Sequence, residues 1–324
     1  MPDLSTVSIA LATYNGGAHL GTQLDSYFVQ ERLPDELVLS DDGSTDGTLE
    51  IAREFAERAP FPVRVISNRR AKGFRGNFAT AIESAEGELI ALSDQDDVWL
   101  PAHLARLAET LEGEPSVLAV ASDSECVDNE LQPLGYTIRD SERLSATLRK
   151  ATMRRGRDQF GLVLRHRAVA GHGMAFRRSL VPAVLPFPDE WFHDQWIFLV
   201  GAALGRVDYV PDTLSKYRQH DSQSIAAEMK SVVTWAAQMQ GQASSAGQAE
   251  TGRWTELLRR ISEHGASAET TATLREKIDF LEFRASVREM PAPARTARTT
   301  ANLLRGRYHR LGRGFYAYAR DLRG

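Results

Sequence analysis

The sequence predicts an α/β fold: a mostly parallel sheet with helices on both faces, followed by a helical C-terminal extension. Three observations predict it. Short apolar runs of strand length alternate with helical patterns through the first half of the 324-residue chain, the spacing of βαβ units that build parallel sheets. Polar clusters fall at the carboxyl ends of those runs, where open α/β sheets bind ligands. Beyond residue 223 the composition turns helical. Residues 1–222 are therefore expected to form one domain and 223–324 a helical region ending in a basic, aromatic tail.

The elements follow in order. Val7 to Thr13 (VSIALAT) is an apolar run of buried-strand length, stopped by Tyr14-Asn15-Gly16. A helical pattern over His19 to Val29 leads to the second strand, Glu36 to Ser40, which ends in Asp41-Asp42-Gly43. Asp46 is placed to cap a helix over Gly47 to Ala59 by accepting from an orphan amide. The third strand, Val63 to Asn68, precedes a helix over Gly73 to Ala85. The fourth, Glu88 to Ser93 (ELIALS), runs into Asp94-Gln95-Asp96-Asp97, and Pro101 opens a helix to Leu111. Val117 to Ser122 reads as a fifth strand. The middle, Asp123 to Asp221, is less regular, with strands expected to return against the sheet and a helix over Asp194 to Leu204. Ile225 to Arg288 is helical in composition, interrupted by a Gly/Ser/Ala/Gln stretch at Gly241 to Gly252.

Composition narrows the classes. At 42% hydrophobic and 25% charged, the chain has the make-up of an ordinary globular protein. Its one cysteine, Cys126, excludes an intrachain disulfide framework and a Cys-based zinc site, and fits a reducing compartment. The start, MPDLSTVSIALATYNG, lacks the basic residues of a secretory signal. The best apolar run, Trp196 to Leu204, is far too short to span a bilayer and is cut off by Arg206. Charge is uneven. Ten Arg against Glu289 and Asp321 make Arg284 to Gly324 +8, which leaves −12 on the rest of a chain whose net charge is −4. Such asymmetry separates an acidic body from an anchoring part.

LSDQDDVWLP, Leu92 to Pro101, carries the chemistry. Carboxylates crowded in one turn repel, and a cation between them offsets that cost. Oxygen ligands suit Mg²⁺ or Mn²⁺, ions that bridge phosphates, so a metal-bound diphosphate at the sheet edge is the leading reading; a solvated acidic loop is the alternative. Asp41 or Asp42 can accept from a nucleobase N–H or a ribose hydroxyl, or simply serve the turn. Tyr14 can stack on a base. No GxGxxG stands in ATYNGGAHL, which argues against a dinucleotide-binding Rossmann domain. Lys72 and Arg75, at a helix start in KGFRGNF, suit phosphate. In FHDQW, Asp194 lies among aromatics, where a raised pKa makes a general base; a helix cap is the plainer reading. His220 in YRQHD can complete a metal shell or stay solvated.

Taken together and in this order, VSIALATYNG, LSDDGSTDGT, the RGNF helix start, LSDQDDVWLP, AGHGMAFRR, FHDQW and KYRQH resemble glycosyltransferase family 2. The closest likeness is to bacterial rhamnosyltransferase-like members of O-antigen and cell-wall polysaccharide synthesis, and it covers about residues 5–222. The resemblance implies a GT-A fold, a nucleotide-sugar donor, a divalent metal (Mn²⁺ or Mg²⁺) and inversion at the anomeric carbon. Position by position it implies base contacts from Tyr14 and Asp42, with Asp41 adjacent. It also implies a DxD element in Asp94 and Asp96, with Asp96 on the metal, Asp94 on ribose or metal, and Asp97 a second-choice ligand. Asp194 would be the catalytic base and His220 a partner of the metal–diphosphate site. Gly171 to Phe176 falls where an acceptor loop lies. The expected substrate contacts are thus Tyr14, Asp41, Asp42, Asn68, Lys72, Arg75, Asp94, Gly171, His172 and Trp196, and the metal ligands Asp96, Asp94 and His220. Ala12 departs from members that carry a hydroxyl there, which leaves nucleotide preference open.

The expected function is transfer of a sugar, rhamnose from TDP-rhamnose or a hexose from a UDP donor, to a growing cell-surface polysaccharide or lipid-linked glycan on the cytoplasmic side. A catalytically silent nucleotide-sugar-binding scaffold is the rival; intact Asp94, Asp96 and Asp194 speak against it. A nucleotidyltransferase would need a basic Gly-rich loop after the first strand, and ATYNGG has none. In the tail, Asn302 to Gly324, Arg alternates with Leu, Tyr and Phe, the pattern of a helix on an anionic membrane surface. Packing on the acidic body and self-association into an oligomer are the alternatives. No nucleic-acid module is recognisable.

Overall fold

The computed structural model describes residues 4–141, 159–164, 170–220, 243–287, 289–312 and 314–323. The expected helical stretch from Ile225 to Gly241 lies outside them. The chain divides into two compact units, Met1–Arg157 with Arg167–His220, and Asp158–His166 with Asp221–Gly324.

The first unit is built on one nine-stranded sheet. Its strands are β1 (Val7–Thr13), β2 (Glu36–Asp41), β3 (Val63–Ser67), β4 (Leu89–Ser93), β5 (Val98–Trp99), β6 (Val117–Val127), β7 (Pro133–Thr137), β8 (Met174–Arg177) and β9 (Arg206–Arg218). Their order is β3-β2-β1-β4-β8-β6-β9-β5, with β7 on β6. β3, β2, β1 and β4 pair in parallel, as the βαβ spacing predicts. β8 then lies antiparallel between β4 and β6, and β9 runs parallel to β6. Six strands therefore point one way, and β5, β7 and β8 run against them.

Four helices of the alternating half are α1 (Leu20–Phe28), α2 (Thr48–Arg58), α3 (Gly73–Ser84) and α4 (His103–Gly113). Side-chain alternation sorts them between faces. Val7, Ile9 and Leu11 of β1 share a core with Leu20, Leu24 and Tyr27 of α1, Phe55 of α2 and Leu104, Leu107 and Leu111 of α4. α3 packs against β1 and β2, and α5 (His193–Leu204) against β6 and β9. β6 continues past the expected end at Ser122 because its polar residues find partners. Asp123 accepts from the amides of Ser124 and Arg139, at 2.9 and 3.1 Å.

The second unit is helical: α6 (Ala243–Glu263), α7 (Ala268–Val287), α8 (Ala292–Leu304), α9 (Arg307–Leu311) and α10 (Phe315–Arg323). Trp254, Leu257 and Ile261 of α6 and Leu274, Ile278 and Leu281 of α7 are buried at helical spacing. Phe280 of α7 lies in a second cluster with Tyr308, Leu311 and Ala317, its ring edge-on to Tyr308 at 5.1 Å. The tail is thus not one continuous helix. Gly306, at φ 73°, adopts a left-handed conformation that turns the chain between α8 and α9. Buried Asp321 accepts two bonds from Arg284, at 2.6 and 2.9 Å, and one from the Tyr308 hydroxyl at 3.0 Å. No helix among the described residues is long and apolar enough to cross a membrane.

Asp321→Ala strands both donors in the interior, and breaking such a pair costs about 3–5 kcal/mol. Urea denaturation of the full chain should show the helical unit losing roughly that much stability; an unchanged midpoint would show that the triad contributes nothing.

Candidate active site

Strand direction gathers the site. β1 to β4 are parallel neighbours, so Tyr14, Asp42, Asn68 and Asp94 emerge at one edge. β8 is antiparallel to β4, so the turn that precedes it, Gly171–Gly173, arrives at the same edge. β9 runs parallel to β6 and delivers Arg218 and, just beyond it, His220.

The loops after β1 and β2 bind each other. Asp41 is fully buried and takes the hydroxyl of Thr13 at 2.9 Å and the amides of Gly43 and Ser44. Its carboxylate thus braces the turn. Asp42 accepts from the amides of Lys72 and Gly73, at 2.8 and 2.9 Å, and so holds the start of α3 at the edge. The N-cap of α2 is Gly47; Asp46, one residue earlier, accepts from the Thr48 amide and from that of Gly17 at 3.0 Å. Asn68 spans Ser40 and Asn77, both at 3.1 Å, and Asn77 donates to the Thr13 carbonyl. Asn68 is therefore a brace between β2, α3 and β1. Tyr14 is 55% exposed and free to meet a ring. The Lys72 ammonium turns along α3 to the Thr80 hydroxyl at 2.8 Å. Arg75 donates to the carbonyl of Trp191 at 2.7 Å and lies over the Phe74 ring.

The acidic turn follows β4. Asp96 meets His220 Nε2 at 2.9 Å. Arg218 donates from its guanidinium to the Asp96 carbonyl at 2.9 Å and from its amide to Asp97 at 3.1 Å. Asp97 is fully buried, its other oxygen has no hydrogen-bond partner, and that oxygen lies 3.4 Å from His172 Nδ1. Burial first, then the neighbouring Asp96 charge, push both Asp94 and Asp97 upward; Asp194 adds to the push on Asp94. Gln95 clamps this turn to the first loop, accepting from the Tyr14 amide at 2.8 Å and donating to the Tyr14 carbonyl at 3.1 Å.

His172 faces the acidic turn from inside the unit. Its ring is buried, stacked on Tyr217 at 4.7 Å, with Nε2 on the Ser124 hydroxyl at 2.7 Å. The Trp99 indole holds the His172 carbonyl, which turns the ring inward toward Asp97. Trp196 is likewise a core residue: it is fully buried and its indole donates to the Val184 carbonyl at 2.9 Å. Only the residues before it on α5 lie at the edge. Asp194 stands in the first turn, accepts from the Gln195 amide at 2.6 Å, and is pushed up to about 6 by burial. Gly171 allows this approach, since a Cβ there would lie 3.0 Å from His193 Nε2 and 3.6 Å from the Asp194 Cβ. His193 itself stacks on Phe78 at 4.0 Å, and burial lowers it to about 3.

The donor chemistry fits a hard divalent cation. Ligand atoms of Asp94, Asp97 and His172 lie within 4.8 Å of one another, and the Asp96–His220 pair adjoins them through the same turn. An orphaned buried carboxylate oxygen beside two further carboxylates is the arrangement that a cation relieves. Gln95, Arg218 and Asp97's pairing with His172 escaped the sequence reading. His19, whose ring lies 4.9 Å from that of His220, escaped it too. Only the strand-end position of Gln95 and the nearness of Arg218 to YRQHD in sequence hinted at them.

A model of family 2 glycosyl transferases matches residues 8–185. An uncharacterized glycosyltransferase of Nostoc sp. is 27% identical over 217 residues, 66% of this chain and 65% of that protein. A dTDP-rhamnosyl transferase of Shigella flexneri is 37% identical over 93 residues, 28% of this chain and 32% of its own. The chain thus spans less than two thirds of the length of these relatives. Among solved structures, a mannosyltransferase of Pyrobaculum calidifontis in complex with GDP-Man and Mn²⁺ superposes with a TM-score of 0.55 at 21% identity, covering 93% of this chain and 76% of the other. Edge geometry, sheet topology and family match agree: the chain belongs to glycosyl transferase family 2 and has the GT-A fold.

Proposed function

We propose that the chain is an inverting, divalent-metal-dependent glycosyltransferase, which moves a sugar from a nucleotide-sugar donor to a hydroxyl of a growing cell-surface polysaccharide or lipid-linked glycan. The favoured donor is TDP-rhamnose, supported by the likeness to a dTDP-rhamnosyl transferase; a UDP-hexose is the alternative. Residues 1–222 are read as the transferase domain and 223–324 as a helical region that meets the membrane on its cytoplasmic face.

One observation carries the reading: Asp194, pushed up to about 6, stands close enough to Asp94 for its charge to be felt there. A base tuned near neutrality thus adjoins the group that faces the leaving diphosphate. Tyr14 stacks on the base and Asp42 accepts from it. Asp94, Asp96 and His220 would hold Mn²⁺ or Mg²⁺, with Asp97 and His172 behind them. The bound ion supplies Lewis-acid neutralisation of the leaving diphosphate. Asp194 removes the proton from the acceptor hydroxyl, whose oxygen bonds to the anomeric carbon as the bond to the diphosphate breaks on the opposite face. One displacement inverts the centre and needs no covalent enzyme intermediate. Lys72, from its exposed position, swings to the diphosphate.

Asp194→Asn should lower kcat about 10²–10⁴-fold while calorimetry shows donor affinity retained; parental turnover would remove Asp194 from the role of base. Because the base must be ionised, kcat/KM should fall as pH drops below about 6 and level off above it. A profile flat through that range would place the proton elsewhere. Titration of TDP-rhamnose and UDP-hexoses should give heat only with Mn²⁺ or Mg²⁺ present, lost with EDTA and in Asp96→Ala. Donor binding that ignores EDTA would contradict a metal-held diphosphate.

A further inference from the structure

We propose that the outer face of the C-terminal helices docks on an anionic lipid bilayer. Leu304, Phe315 and Tyr316 enter it, and Arg298, Arg305, Arg320 and Arg323 hold its headgroups. Resting on the reading above of a lipid-linked acceptor, such a face names the partner's chemistry and the residues that meet it.

Charge points to an anionic partner. From Met290 to Gly324 Asp321 is the single acidic residue, and it is fully buried beneath Arg284 and Tyr308. The outer face therefore presents no carboxylate from this segment. Arg307 and Arg310 are paired with Glu276. Arg298, Arg305, Arg320 and Arg323 are exposed and have no acidic partner among the described residues.

Apolar exposure points to lipid. Leu304 is 83% exposed, Phe315 65% and Tyr316 68%, although the same helices bury Tyr308, Leu311 and Ala317. Leu304 stands on α8, and Phe315 and Tyr316 on α10, which packs against α8. The Thr300 and Tyr318 hydroxyls meet at 3.1 Å; Leu304 lies one turn beyond Thr300, and Phe315 about one turn before Tyr318. On α10, Ala317 and Asp321 face inward. At about 100° per residue, Phe315, Tyr316 and Arg323 fall on the opposite side, with Arg320 on the flank between Tyr316 and Ala317. Aromatic rings at headgroup depth with arginines beside them are the pattern of an interfacial helix. A nucleic acid would engage the arginines but gain little from Leu304, and a second copy would bring the same positive charge.

Flotation of the full chain with vesicles tests this. It should rise with phosphatidylcholine vesicles containing phosphatidylglycerol, not with phosphatidylcholine alone, and less at high salt. Replacing Arg298, Arg305, Arg320 and Arg323 by Gln should weaken partitioning about fivefold per arginine. A Leu304→Ser, Phe315→Ser, Tyr316→Ser variant should weaken it at low salt too, with circular dichroism unchanged in both. Failure of the parent to bind either vesicle overturns the proposal. Parental binding by the triple Ser variant also overturns it, since it marks a general polyanion surface. Transfer to a soluble acceptor analogue should be the same in all variants. An inactive parent that floats sinks only the transfer reading, and an active parent that ignores vesicles sinks only this one.

Discussion

Like charges crowded at the carboxyl end of β4 are the constraint on which the first unit depends. Asp94, Asp96 and Asp97 occupy one turn, and each is compensated differently. Asp97 receives the Arg218 amide and faces His172; Asp96 meets His220. Asp94 keeps a raised proton affinity beside Asp194. Much of the irregular second half of the unit serves this turn. β9 is 13 residues long, and that length, paired along β6, carries Arg218 and His220 back to the edge where β4 ends. β8, inserted antiparallel next to β4, sets Gly171–Gly173 at the same place.

Around that turn the loops satisfy one another before any ligand arrives. Asp41, Asp42 and Asp46 each accept from backbone amides, and Gln95 bonds both the amide and the carbonyl of Tyr14. A rim held by its own hydrogen bonds loses little freedom when a ligand is bound, which is how positioning contributes to rate. Much of the acidity of LSDDGSTDGT therefore acts on its own backbone, while Tyr14 keeps an exposed ring.

The helical unit follows another logic. α7 is buried on two sides, by Trp254, Leu257 and Ile261 of α6 and by Tyr308, Leu311 and Ala317 of the tail. One buried carboxylate, Asp321, neutralises Arg284 in its interior. Arg307 and Arg310 pair with Glu276 on α7, while Arg298, Arg305, Arg320 and Arg323 stay exposed.

The sequence by itself determined the four parallel strands, their helices and the acidic turn, because each is a local pattern: period, strand length, caps and residues crowded in one loop. It was enough to resemble the family that the chain proves to belong to. Tertiary structure alone decided which polar residues are spent inside. Asp41 and His172 looked available in sequence, yet Thr13, Ser44, Trp99 and Ser124 occupy them. Trp196 follows Asp194 by two positions but points to Val184, since consecutive helical residues face different sides. The same folding broke the apparent tail helix at Gly306 and buried Tyr308. Burial and hydrogen-bond partners are set by residues distant in sequence, and no local pattern carries them.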